Sequence, residues 1–204
     1  MSAELPRIVI LASGSGTNAE AVMSACDVAD LSAQVVAVIT NNANAGVLDR
    51  ARRFGVATET IIHESRDAQI RAEEDAALIR SIEAYDPDVV VLAGWMRILG
   101  AVVGARFPMI NLHPAKPGEF AGTKAIERAF AAFGAGEINE SGVMVHWVPD
   151  GGVDVGPTIL SEVVEIRHDD DLDVFAERMH RTEHRLLVEA LRVVFADRDT
   201  TETT

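Results

Sequence analysis

The sequence predicts an α/β fold with a mostly parallel sheet, flanking helices and antiparallel strands near the C-terminus. Three short runs rich in valine and isoleucine, at residues 7–12, 34–40 and 88–93, lack polar alternation, which is typical of strands buried on both faces. Helical patterns separate these runs, and such alternation indicates right-handed crossover units in a parallel sheet. Two consecutive strand-like runs follow, at residues 142–148 and 157–166, and these indicate the antiparallel addition.

The helices predicted between the first three strands cover residues 19–26, 46–54 and 67–85. Asp86 and Pro87 end the last of them, because the residue before a proline disfavours the helical conformation. In the second half, residues 109–112 are predicted as a strand that runs into His113 and Pro114.

A final helix is predicted over residues 172–196. Its apolar residues recur at helical spacing on one face, and they include Phe175, Met179, Leu186, Ala190 and Val194. We expect one domain over residues 1–204, with residues 1–6 and 197–204 flexible.

Composition excludes several classes of protein. The chain has 204 residues, 48% of them apolar and 25% charged, which fits one globular domain. No apolar run is long enough to span a bilayer, and the first residues show no secretory signal. A single cysteine, Cys26, allows no internal disulfide. We therefore expect a cytoplasmic protein without membrane partners.

The net charge of −14 argues against a nucleic-acid partner, because such proteins usually carry a basic face that neutralises phosphates. Small anions are compatible with this charge, since a few backbone amides and one helix end can hold a phosphate.

A turn at residues 13–18 (SGSGTN) lies between the first predicted strand and the first helix. Glycines let the backbone approach a ligand closely, and free amides at a helix start point at anions. The spacing matches neither the dinucleotide fingerprint nor the P-loop with its lysine. Two interpretations stay open: a phosphate site, or a tight turn capped by an Asn or Thr side chain.

Asn111 and His113 stand two residues apart at the end of a predicted strand, so both side chains can share one face. An amide beside an imidazole suits addition to a carbonyl, because one group stabilises an oxyanion and the other moves a proton. The alternative is a hydrogen-bonded histidine at a strand end.

Asp154 lies in a glycine-rich turn at residues 150–157. An aspartate that reached His113 would orient its ring and stabilise an imidazolium, whereas an aspartate that only caps the turn would serve structure alone.

Residues 180–184 (HRTEH) match a zinc-protease pattern, with His180 and His184 on one helix face. This alternative belongs to a different enzyme class. It leaves little chain for a third ligand after His184, and Glu183 can instead serve a polar group of a ligand.

Together, the motifs resemble those of the glycinamide ribonucleotide formyltransferase family, folate-dependent enzymes of purine synthesis. The resemblance runs from about residue 7 to residue 196, and the order and spacing of five motifs carry it. They are SGSGTN at 13–18, VVVLAGWMRIL at 89–99, NLHP at 111–114, VDVGP at 153–157 and TEH at 182–184.

The resemblance implies a Rossmann-like formyltransferase fold that acts on two small molecules, glycinamide ribonucleotide and the co-substrate 10-formyltetrahydrofolate, without a metal. A monomer or a homodimer is expected. The resemblance further implies that amides around Gly16, Thr17 and Asn18 hold the ribonucleotide phosphate. Glu183 would bind the ribose, and His180 would lie near the phosphate.

The same resemblance places the folate site along Met96, Arg97, Ile98 and Leu99, with Asp154 beside it. Arg97, Ile98 and Leu99 would meet the pterin through their backbone.

The implied catalytic residues are Asn111, His113 and Asp154. Asn111 and a protonated His113 would stabilise the tetrahedral oxyanion, and Asp154 would support the imidazolium. The sequence departs from the family pattern at Lys116, Ala121 and Lys124.

Two rivals remain beside the transferase. A formyltetrahydrofolate hydrolase or a sugar-amine formyltransferase would use the same kind of trio, although we expect neither the extra N-terminal nor the extra C-terminal domain of such relatives here. A catalytically silent folate or nucleotide binder is the non-enzyme alternative.

Overall fold

The structure is a computed structural model that describes residues 4–62, 65, 67–149 and 154–201, with side chains described up to residue 196. It divides into two compact units. The first comprises Met1–Ile110 and Val148–Gly151, and the second comprises Asn111–Trp147 and Gly152–Thr204. The expectation of one domain stays a prediction.

Four parallel strands form the sheet of the first unit: β1 (Arg7–Leu11), β2 (Gln34–Thr40), β3 (Ala57–Thr60) and β4 (Val89–Leu92). β1 pairs with β2 on one side and with β4 on the other, and β3 pairs with β2. The three apolar runs are strands, as predicted. β3 was not predicted, because its sequence ATET is short and only half-buried at a sheet edge.

The helices of the first unit are α1 (Thr17–Asp27), α2 (Val47–Arg53), α3 (Ala68–Glu83) and the short α4 (Ala101–Gly104). The first three lie close to their predicted bounds, whereas α4 was not predicted. The side chain of Asp67 begins α3 by accepting hydrogen bonds from the amides of Gln69 and Ile70, the usual role of an aspartate at this position. Cys26, near the end of α1, is partly buried, and burial raises the pKa of its thiol to about 11.

β5 (Met109–His113) begins in the first unit and ends in the second, at His113. In the second unit, β6 (Glu140–Trp147) and β7 (Thr158–Glu165) form an antiparallel pair. The two helices are α5 (Ala125–Gly134), which was not predicted, and α6 (Leu172–Thr201). α6 packs on β6, β7 and α5. Its predicted apolar face is confirmed, because five of its residues are buried: Phe175, Met179, Leu186, Ala190 and Val194. The helix continues five residues beyond the predicted end at residue 196.

The seven strands follow the order β3-β2-β1-β4-β5-β6-β7. The predicted fold class is therefore confirmed: a mostly parallel sheet with helices and an antiparallel pair near the C-terminus. Among the described residues, no helix combines the length and apolar character needed to cross a membrane.

Candidate active site

Asp154 is the centre of a cluster of polar side chains in the second unit. Its Oδ1 accepts a hydrogen bond from Asn111 Nδ2 at 2.8 Å, and its Oδ2 accepts one from the main-chain amide of Gly122 at 2.8 Å. Oδ2 also lies 3.3 Å from His113 Nδ1. The side chain is 6% exposed. Asp154 thus joins Asn111 and His113, the two residues that the sequence analysis placed on one strand face.

Asp154 has a left-handed backbone, with φ at 55°. Such a conformation is uncommon for residues other than glycine and often marks a functional site. Burial alone would raise the pKa of its carboxyl, but the nearby imidazoles of His146 and His113 and the hydrogen bond from Gly122 hold the pKa below its ordinary value. The carboxylate is therefore ionised at neutral pH.

His113 lies at the end of β5 and is 3% exposed. Its Nδ1 faces Asp154, whereas its Nε2 is buried and makes no hydrogen bond with any described residue. Burial lowers the pKa of His113, although Asp154 and the carbonyl groups of Glu119 and Phe120 favour the charged form. At neutral pH the ring is therefore mostly neutral, and a proton on Nδ1 leaves a lone pair on Nε2.

Asn111 donates both hydrogens of its amide within this cluster. Nδ2 lies 2.8 Å from Asp154 Oδ1 and 3.2 Å from His146 Nε2. A carboxylate only accepts hydrogen bonds, so the nitrogen of the amide, and not its oxygen, must face Asp154. A donor for a developing oxyanion exists at Asn111 only if one of these two bonds is exchanged.

His146, on β6, is a member of the cluster that the sequence analysis did not select. It is 1% exposed, and its Nδ1 lies 2.8 Å from the carbonyl oxygen of Trp147. Because a carbonyl only accepts, Nδ1 carries a proton, and the neutral ring accepts from Asn111 at Nε2. Its Nε2 also lies 3.6 Å from Asp154 Oδ1. The available signal was a histidine within the apolar strand sequence GVMVHW.

The turn at residues 13–18 leads into α1 through Gly16, whose φ of 78° is left-handed. A Cβ at this position would lie 2.5 Å from Cβ of Val47, so both backbone and packing require glycine there. No side chain caps the helix start. The alternative of an Asn or Thr cap is therefore absent, and the first amides of α1 have no partner within their helix.

The carbonyl groups of residues 13–16 accept hydrogen bonds within the first unit. The amide of Ser13 donates to the carbonyl of Gly94 at 3.0 Å, which leaves the amides after Ser13 as the groups available to a ligand. Asn18 Oδ1 is also buried without a hydrogen bond to any described residue. The four donor pairs are Asn42 Nδ2 to Ser13 at 3.4 Å, Val47 N to Gly14 at 3.2 Å, Arg50 Nε to Ser15 at 2.8 Å and Glu20 N to Gly16 at 2.9 Å.

Residues 96–99 connect β4 to α4 without regular structure. Met96 and Ile98 are each 63% exposed, and Arg97 is exposed as well, whereas Leu99 packs against the core of the first unit. The amide of Met96 donates to Ser13 Oγ at 3.0 Å, which ties this segment to the turn at residues 13–18.

His180 and Glu183 pair with each other on α6, with Nδ1 of His180 2.6 Å from Oε2 of Glu183. The Glu183 side chain is 6% exposed and that of His180 is 51% exposed. The hydrogen bond with Glu183 raises the pKa of His180. Within the described part of the chain, no group of three or more His, Cys, Asp and Glu side chains is arranged to hold a metal ion.

The structure thus brings Asn111, His113 and Asp154 into one cluster in the second unit, which also contains the pair of His180 and Glu183. The first unit contains the remaining predicted residues: Gly16, Thr17, Asn18, Met96, Arg97, Ile98 and Leu99.

Comparisons with known proteins identify one consistent family. The formyl transferase family model matches residues 6–191. A phosphoribosylglycinamide formyltransferase of Schizosaccharomyces pombe is 39% identical over 202 residues, covering 93% of this chain and 97% of the relative. The Escherichia coli protein of that name is 37% identical over 181 residues, covering 88% and 82%. The solved glycinamide ribonucleotide transformylase 1 of Geobacillus kaustophilus superimposes with a TM-score of 0.84 at 31% identity, covering 94% and 99%.

Proposed function

The chain belongs to the formyl transferase family, and we propose that it formylates the amine of glycinamide ribonucleotide in purine synthesis. The formyl group comes from 10-formyltetrahydrofolate. The products are N-formylglycinamide ribonucleotide and tetrahydrofolate. The relatives support this reaction, since proteins similar to this chain over most of its length are phosphoribosylglycinamide formyltransferases.

The observation that carries the proposal is the cluster around Asp154. An ionised carboxylate contacts an amide and an imidazole, and the far nitrogen of that imidazole is buried without a partner in the described structure. This arrangement suits acyl transfer, in which one group accepts a proton and another supports the charge that then forms.

We propose that the neutral His113 acts first as a general base. The amine nitrogen attacks the formyl carbon, the C–O double bond opens to an oxyanion, and Nε2 of His113 takes a proton from the amine. Collapse of the intermediate re-forms the C–O double bond and breaks the bond to N10 of the folate, which receives that proton. Atoms and charges therefore balance without a further reactant.

Asp154 and Asn111 support this proton transfer. Asp154 stabilises the imidazolium through the contact at Nδ1. Asn111 gives up one of its two present hydrogen bonds and donates to the oxyanion, together with the protonated His113. We propose that His113 is neutral before attack, because burial lowers its pKa. In the alternative mechanism, His113 is already protonated when the amine attacks.

Substrate binding is assigned by the same proposal. The amides at Gly16, Thr17 and Asn18 hold the phosphate at the start of α1, where the helix dipole favours an anion. The absence of a side-chain cap supports this assignment. Glu183 accepts hydrogen bonds from the ribose hydroxyls, with His180 near the phosphate.

In this proposal, the pterin site is lined by Met96, Arg97, Ile98 and Leu99. The exposure of Met96 and Ile98 supports apolar contact with the ring. No metal takes part, and a monomer or homodimer in the cytoplasm stays part of the proposal.

The test is a spectroscopic assay of tetrahydrofolate release, run with both substrates and with a metal chelator. Release that needs the ribonucleotide and resists the chelator is the expected result. Release without the ribonucleotide would indicate a hydrolase, and a chelator-sensitive rate would favour the zinc alternative. No release with either glycinamide ribonucleotide or sugar amines, despite binding of folate, would leave a silent binder.

A further inference from the structure

We infer that Arg128 is a positioning residue for Asp154, acting through the loop that precedes α5. The inference rests on the proposed function for its kinetic consequences but not for its structural ones. Arg128 lies outside the five motifs that carry the family resemblance, and its side chain is exposed on α5.

Arg128 contacts the loop in three ways. Its Nη1 donates to the carbonyl oxygen of Phe120 at 3.2 Å and to that of Ala121 at 2.8 Å. Its guanidinium also lies over the ring of Phe120, 5.6 Å from the centroid, within the range of a cation–π contact. One side chain therefore fixes two consecutive peptide groups and the ring beside them.

The second of these two peptide groups, which joins Ala121 to Gly122, also provides the contact to the candidate active site. Its amide, the N–H of Gly122, donates to Asp154 Oδ2 at 2.8 Å. This bond also holds down the pKa of Asp154, together with His146 and His113. An unbroken series of contacts thus runs from Arg128 through residues 120–122 to the carboxylate that faces Asn111 and His113.

The loop needs an external restraint, because its backbone is strained. Phe120 has φ at 45°, Gly122 at 87° and Lys124 at 57°. Left-handed conformations are unfavourable for residues other than glycine, so an unrestrained loop would relax at Phe120 and Lys124. Relaxation there would move the Gly122 amide away from Asp154.

α5 is a firm base for this restraint. Ala125 and Ala129 are buried on its inner face, and Phe130 stacks on Phe175 of α6 with ring centroids 5.9 Å apart. Arg128 stands on the outer face of the same helix and reaches back over it to the loop. Because packing fixes α5, the Arg128 side chain can hold the loop in one position relative to the helix.

The test compares Arg128→Ala with Arg185→Ala, a matched control on α6. Arg185 bonds to Glu162 and Glu189 and is exposed, so its removal costs the surface contacts of a helical arginine but leaves the loop intact. For Arg128→Ala we expect kcat to fall about 10-fold or more, as small misplacements of catalytic groups do. KM for both substrates should stay within about 2-fold, and Arg185→Ala should keep kcat.

A measurement without turnover separates this inference from the proposed function. The amide proton of Gly122 bonds to a carboxylate, so its NMR signal should lie downfield and exchange slowly. Arg128→Ala should shift it upfield and speed its exchange, and Arg185→Ala should leave it unchanged. An unchanged Gly122 signal in Arg128→Ala would overturn the inference, whatever the wild-type protein catalyses.

Arg128→Lys adds a graded readout. An ammonium retains the charge but lacks the planar fork of the guanidinium. It can therefore replace one of the two carbonyl contacts, and we expect it to restore part of the kcat that Arg128→Ala loses. Recovery of kcat without recovery of the Gly122 signal would show that charge alone suffices and would contradict the positioning role. Equal losses of kcat and of melting temperature in the Arg128→Ala and Arg185→Ala variants would contradict it as well.

Discussion

The turn at residues 13–18 presents main-chain groups, whereas the cluster around Asp154 presents side chains. In the turn, the carbonyls accept hydrogen bonds within the first unit and Gly16 is fixed by its contact with Val47. In the cluster, both carboxylate oxygens of Asp154 and the Nδ2 atom of Asn111 have a specific side-chain or amide partner. The two regions should therefore respond to mutation in opposite ways: the turn through its backbone conformation, the cluster through chemical identity.

Asp154→Asn should have the largest effect, because it breaks the cluster without changing its shape. An amide nitrogen would then face either the Nδ2 of Asn111 or the amide of Gly122, both of which are donors, and the support for an imidazolium would be lost. We expect kcat to fall by about 10⁴-fold, measured as tetrahydrofolate release.

Asp170→Asn is the matched control for that variant. The Asp170 side chain is also buried, at 3% exposed, and pairs with Arg178 without contacting the cluster residues. It should lower the melting temperature and retain kcat. If Asp170→Asn lost as much kcat as Asp154→Asn, the effect at Asp154 would be no larger than that of replacing another buried carboxylate.

Asn111→Ala should come next, with kcat reduced about 10²–10³-fold, the usual result of losing one oxyanion donor. The fold should remain intact, which far-UV circular dichroism and thermal melting can establish. KM should change little, because the donor acts on charge that develops in the transition state. Near-normal turnover would remove Asn111 from the mechanism.

The pH dependence of kcat/KM should distinguish the cluster from the turn, since residues 13–18 contain no titratable side chain. Burial lowers the pKa of His113 from its ordinary value of 6.5. If the neutral ring is the base, kcat/KM should fall as pH falls through this lowered pKa, by about tenfold per pH unit below it. The opposite slope, with activity lost as pH rises through this pKa, would support a His113 that is protonated before attack.

Gly16→Ala should damage the turn through its backbone. The left-handed φ and the contact with Val47 together should lower the free energy of unfolding by about 3 kcal/mol, measured by urea denaturation. Gly14→Ala is the control, because no heavy atom lies within 4 Å of a Cβ there and its φ is not left-handed. Equal losses in the two variants would contradict a specific requirement at Gly16.

Thr17→Ala should have the smallest effect. If main-chain amides hold the phosphate, removal of the hydroxyl should change KM for the ribonucleotide by about 2-fold at most, the range of ordinary surface substitutions. A larger increase in KM for the ribonucleotide, with KM for the folate unchanged, would show that the turn also binds through a side chain. The contrast between main-chain binding in the turn and side-chain chemistry in the cluster would then be smaller.

The sequence was sufficient for elements with a strong apolar pattern. β1, β2 and β4 are runs of valine, isoleucine and leucine buried on both faces, and no helical pattern competes with them. β3 is different: its sequence ATET carries little apolar signal, and pairing with β2 alone makes it a strand. α4, at four residues, is too short for a periodicity to be detected.

The sequence predicted the parts of the candidate site in which reactive residue types stand at a suitable spacing. It could not predict contacts that depend on the conformation of a turn. Asn111 and His113 share a strand face by their spacing. The contact of Asp154 with both depends on its left-handed backbone, which no local pattern encodes. His146 and Arg128 were missed for the same reason, since a histidine in a strand and an exposed arginine on a helix are ordinary until their partners are known.

The partly buried Cys26 has a practical consequence for labelling. With a thiol pKa of about 11, only about 10⁻⁴ of Cys26 is thiolate at neutral pH, so it reacts slowly with maleimides. Because it is the only cysteine in the chain, a second one introduced at Val155, which is 69% exposed, should be modified first. A fluorophore could then report on the residue next to Asp154 without prior removal of the native thiol.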